Sequence, residues 1–265
     1  MDSIFAVFSN RDIAIVFWLF LLLFFLLLKK SIRKSFAHIF KSLFVKNLIT
    51  PLILFFDYIL LLVLGLQITG FWEVYLTKDT IFWMFGFAFV LFFNFQKAKD
   101  AAYFKDIIKD VIKITVVLEF LADEYTFGLF TEIIIVFIIA LLTMVQVVAK
   151  LDPKHKSAET FIRIIISLFN TFLFVYIVYR VFNQFNELLT IEKAKSFLLP
   201  IILSILFLPF IYFLSLYSEY EELFVRFEAL SIDKSLRRKI NWRIIRVANI
   251  RINKLQKISK NIVTG

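Results

Sequence analysis

Cysteine is absent from the chain. Disulfides, thiolate metal sites and thiol nucleophiles are therefore excluded. Histidine occurs only twice, at His38 and His155, too few for a histidine-based zinc site. Glycine and proline are scarce, at five and four residues. Gly65, Gly70, Gly86, Gly128 and Gly265 are too scattered to build a phosphate-cradling loop. They also leave little room for close helix contacts of the GxxxG kind. No HExxH or GxSxG sequence occurs. Nothing in the chain asks for a cofactor or a metal, and no residue takes a catalytic role.

What the chain does contain is apolar bulk. It is 61% hydrophobic, with a mean hydropathy of +0.84 and 36 phenylalanines. The apolar residues fall in long runs, which is the pattern of bilayer spans. Six are read directly, at about 13–28, 48–66, 81–95, 129–148, 161–181 and 197–217. Packing between them is expected to rest on Phe side chains. Phe17, Trp18, Trp72, Trp83 and Tyr217 lie near span ends, where aromatic rings anchor at the interfaces. The first run follows acids and is followed by Lys29 and Lys30, so it reads as a retained span with its N-terminus outside, not as a cleaved signal.

A seventh segment, 106–127, is less apolar because Lys113 and Glu119 interrupt it. Charge decides how to read it. With seven spans and the N-terminus outside, 25 Lys/Arg collect on one side of the bilayer and four on the other. With six, that asymmetry disappears. The positive-inside rule therefore predicts seven crossings, N-out and C-in. The expected fold is an all-α polytopic membrane protein: a helical bundle over 1–217, basic amphipathic cytosolic helices, and a basic cytosolic tail over 218–265.

The tail holds the net charge. The last 32 residues carry ten Lys/Arg and no acid, whereas the first 233 balance at 21 of each sign. A helical wheel over 240–258 places Ile240, Ile244, Ile245, Val247, Ala248, Ile252, Leu255 and Ile258 on one arc. Arg243, Arg246, Lys254 and Lys257 gather on another, and Arg251 intrudes on the apolar side. Arg237, Arg238 and Lys239 precede them. A second basic amphipathic helix is predicted over 29–46, presenting Lys29, Lys30, Arg33 and Lys34. Both segments suit anionic inner-leaflet lipid or a protein partner on the cytosolic side. No nucleic-acid reading motif accompanies the charge, so nucleic acid is the least favoured occupant.

Within the spans, Asp57, Glu119 and Asn170 stand at mid-depth. A carboxylate at the bilayer centre costs about 3 kcal/mol or more unless protonated or paired. The three residues therefore form either a polar clamp or an ion or proton path. Arg163, Arg180 and Glu132 lie near span ends, where they can snorkel. Pro209 is expected to kink the last span and is the candidate hinge. That span contains no Lys, so a retinal Schiff base is excluded there.

These features favour a non-enzymatic, multi-pass protein of a bacterial inner membrane. It would serve as a pore-forming, sensing or anchoring subunit of a larger assembly, as a homo-oligomer or with a protein partner on the cytosolic side. The small size and missing catalytic residues are similar in general shape to membrane effectors of bacterial immunity systems. The alternative expectation is a stand-alone channel or transporter working through Asp57 and Glu119. An intramembrane lipid enzyme, drawing on Glu219, Glu221 and Glu222, is least favoured.

Overall fold

The computed structural model describes residues 8–43, 46–98, 100–151, 156–184, 190–229, 234–252 and 254–255. Among them every regular element is a helix: α1 (Asn10–Leu28), α2 (Lys30–Leu43), α3 (Lys46–Ile68), α4 (Thr77–Trp83), α5 (Phe89–Phe93), α6 (Ala101–Val111), α7 (Ile114–Glu124), α8 (Leu129–Leu151), α9 (Lys156–Asn183), α10 (Ile191–Ala229) and α11 (Lys234–Ala248). A π turn, Met84–Ala88, joins α4 to α5. Six helical stretches among the described residues are long and apolar enough to cross a membrane: Asn10–Leu28, Ile49–Ile68, Val74–Phe93, Leu129–Leu151, Lys156–Asn183 and Ile191–Phe227. The chain is an all-α protein with the makings of a multi-pass membrane protein.

The first compact unit holds α1, α2, α7, α8, α9 and the opening of α10 to Phe197. α1 packs on α8, and α8 on α9. α1 begins at Asn10, three residues before its apolar run, because Ser9 caps it. The Ser9 hydroxyl accepts from the Asp12 N–H, and the Asp12 carboxylate accepts from the Ser9 N–H. Trp18 is not a free interfacial anchor. Its ring N–H donates to the Ile133 carbonyl at 2.8 Å and its ring stacks on Phe137 at 4.6 Å.

The second unit holds α3 to α6, α10 from Leu198 onward, and α11. Its core centres on Phe55, which is 0% exposed. The rings of Phe56, Phe89, Phe92, Phe207 and Phe210 lie 4.8–6.3 Å away. Hydrocarbon solvent provides no hydrophobic drive between helices, so close packing of these rings with Leu76, Leu91, Leu203 and Ile211, and three polar staples, contribute to holding the unit together. The staples all reach α10. Trp83 donates to the Ser204 hydroxyl at 2.9 Å, Ser215 to the Ala98 carbonyl at 3.0 Å, and Tyr58 to the Leu206 carbonyl at 2.8 Å. Trp83 is thus buried core, and the third apolar stretch starts at Val74, upstream of its apolar run. Thr77, Lys78, Asp79 and Thr80 read as loop but form the first turn of α4, where Asp79 meets the helix dipole favourably.

Two expected helices are broken. Residues 106–127 do not form one helix: α6 stops at Val111, Ile112 leaves helical geometry, and α7 starts at Ile114. The β-branched run Ile112, Ile114, Thr115, Val116 and Val117 follows the charged stem and weakens helix propensity there. Each piece is 11 residues long, about 16 Å, against roughly 30 Å of hydrocarbon. The tail helix predicted over 240–258 also breaks, at Asn249, whose φ of +48° is the left-handed conformation that asparagine tolerates at helix ends. The break re-phases the wheel. Ile252 and Leu255 turn inward at 3% and 0% exposure, and Arg251 is left exposed instead of intruding on the apolar side.

Candidate functional site

Asp57 is the midpoint of α3, eleven residues from both Lys46 and Ile68. At 1.5 Å per residue it stands about 16 Å from either end, at the depth where a charge is least tolerated. Its side chain is exposed and has no hydrogen-bond or ion partner among the described residues. It opens into a groove of about 580 Å³ between α3 and α10, with Leu54, Tyr58, Phe213, Tyr217 and Glu221 among its walls. The neighbouring Tyr58 is committed elsewhere, to Leu206.

Asn170 is also a midpoint residue, of the 28-residue α9. It too is exposed and without a hydrogen-bond partner among the described residues. α9 is the least enclosed of the six stretches, with 6% of its apolar window buried. Glu119 falls in α7, and its side chain lies outside the described residues. Asp57 belongs to the second unit, and Glu119 and Asn170 to the first. The three are therefore not joined into one clamp or path inside either unit. Pro209 is exposed, and α10 continues as helix through it to Ala229. Tyr58 occupies the Leu206 carbonyl, one residue past the Ile205 carbonyl that the missing Pro209 N–H would have met.

The basic residues are displayed outward. Lys29, Lys30, Arg33 and Lys34 are exposed at the start of α2, and Arg238, Lys239, Arg243, Arg246 and Lys254 along the tail. The side chain of Arg237, and Lys257 altogether, lie outside the described residues. The tail's apolar face is covered in part, and Ile245 and Val247 of the expected arc stay exposed. Ile244, Ala248, Ile252 and Leu255 are buried against Leu216, Leu223 and Phe227 of α10. Tyr220 donates to the Asn249 carbonyl at 2.6 Å, and Tyr212 to that of Ile250. The basic residues are thus displayed from a helix packed on α10 through Ile244, Ala248, Ile252 and Leu255.

Sequence reasoning missed a polar knot at one end of the first unit. Glu132 does not snorkel: it is 0% exposed. It accepts two bonds from Arg11, at 3.2 Å from Nε and 3.1 Å from Nη2, and a third at 2.8 Å from the Phe127 N–H. Arg11 also donates to the Ala122 carbonyl, Asn10 to that of Phe127 at 2.9 Å, and Ser9 to Asp123 at 3.1 Å. Close by in the chain, Arg180 lies over the Tyr125 ring, 5.5 Å from its centroid, and Lys193 pairs with Glu124. The knot ties α1 to the α7–α8 connection. Its members carry no motif and lie at or beside the ends of the apolar runs. Among the described residues no group of three or more His, Cys, Asp or Glu is placed to hold a metal.

No family model matches the chain, and neither a curated protein nor a solved structure matches it. The functional reading rests on these residues alone.

Proposed function

We propose that the chain is a non-enzymatic membrane subunit that assembles with further copies of itself through its spanning helices. Its basic surfaces then face anionic lipid or a cytosolic partner. The observation that carries this reading is Asn170, an unpartnered amide at the centre of the least enclosed span. A buried amide left without a hydrogen bond costs about 2 kcal/mol or more. In hydrocarbon the natural remedy is a partner on another helix, worth about 1–2 kcal/mol. An assembly of this kind has the architecture of a pore-forming, sensing or anchoring component.

The topology that goes with this reading is seven crossings, N-out and C-in, in a bacterial inner membrane. The segment 106–127 would supply the fourth crossing. The Lys/Arg asymmetry supports it, because both basic segments then share one side.

The test uses the missing cysteine. Asn170→Cys creates the only thiol in the chain, and oxidation in native membranes then reports contact between copies. A covalent dimer from Asn170→Cys, absent from Phe182→Cys at the end of the same helix, is the expected result. Monomer from both variants under strong oxidant contradicts self-association along this face.

A further inference from the structure

We propose that the groove between α3 and α10 is a binding site for a single-chain amphiphile that carries one cationic nitrogen, held against Asp57. The inference is independent of self-assembly. The groove's lining holds two acids, Asp57 and Glu221, and no Lys, Arg or His. Neither acid has a hydrogen-bond or ion partner among the described residues. The remaining walls are almost wholly aliphatic or aromatic. Of the two acids, Glu221 lies at the end of the lining and Asp57 at the midpoint of its helix. A cation is the ligand that reverses its unfavourable setting, and the faces of Phe213 and Tyr217 add ring surfaces on which a cationic nitrogen is attracted.

Size and shape narrow the occupant further. A volume of about 580 Å³ lies inside the roughly 300–1,000 Å³ range of small-molecule sites. The lining runs from Phe210 to Glu221 on α10 and from Thr50 to Leu61 on α3, about 16 Å along each helix. The site is therefore long and narrow, the form of an alkyl chain. The apolar chain would run from Asp57 along Leu54 and Phe213, and entry from the lipid would need no opening toward water.

Photolabelling tests this. The full chain in phosphatidylcholine nanodiscs is exposed to a diazirine-bearing dodecylamine or to the matching dodecanol, and labelled peptides are mapped by mass spectrometry. The amine is expected to label α3 and α10 groove residues at least 10-fold above the alcohol, the weight of one charge-assisted hydrogen bond. Asp57→Asn should erase that preference. Leu54→Trp, which fills the groove and keeps the carboxylate, should remove groove labelling by both probes, and it decides the matter if Asp57→Asn does not fold. Equal labelling by amine and alcohol overturns the proposal. So does a preference that survives both variants, or groove peptides cross-linked to a second copy when no probe is present.

Discussion

A charge placed near the start of an apolar run can do opposite things, and Arg11 and Glu132 show which occurs here. The pair is held by two guanidinium bonds, and Glu132 has a third from a backbone N–H, so its three contacts leave the carboxylate well satisfied. Removing one partner of a buried pair costs about 3–5 kcal/mol, because the other is left charged and unmatched. Arg11→Met is therefore expected to lower resistance to thermal unfolding in detergent by an amount of that order. The double change Arg11→Met with Glu132→Met should recover much of it. Equal losses for the single and double variants would show that the pair contributes through packing alone. None of this was legible in the sequence, since a pair separated by 121 positions leaves no periodic signal. Mid-span Asp57 and Asn170 were legible, because a polar residue inside a long apolar run stands out by contrast.

At the scale of elements, apolar runs placed the six long stretches, and caps and dihedral limits set their true ends. Ser9 moves the start of α1 upstream, and Thr77–Thr80 extend the third stretch. The breaks at Ile112 and Asn249 depend on local backbone geometry that hydropathy does not register. Phe55 shows what side-chain packing adds. Phe55→Ala should destabilise the second unit by about 2–3 kcal/mol, below the ~3–5 kcal/mol of water-soluble cores because hydrocarbon removes part of the transfer term. Denaturant titration in mixed micelles measures it, and a loss under ~0.5 kcal/mol would show that the cavity collapses freely. The tail gives a second check. Leu223→Ala thins the surface on which Ile244, Ala248 and Ile252 rest. Trypsin should then cut between Arg238 and Lys254 several-fold faster than in the parent chain. An unchanged rate would mean that the two tyrosine bonds to the Asn249 and Ile250 carbonyls hold the tail by themselves.

For the whole molecule, the proposed function turns on the sidedness of the basic segments and the number of copies. Sidedness follows from counting. If the segment 106–127 crosses the bilayer, reporters fused after Phe127 and after the C-terminus should read outside and inside respectively. If it does not cross, both reporters invert, and the ten tail cations lie outside. Copy number follows from exposure. A mid-span amide without a partner is costly for a lone chain in lipid and ordinary inside an assembly. The most direct measurement of that central claim is the native mass of the chain extracted in lipid nanodiscs at its natural level, beside the Asn170→Leu variant. A discrete multiple of 31.4 kDa for the parent, shifting toward a single copy in the variant, is the predicted result. A single copy of 31.4 kDa in both would contradict it.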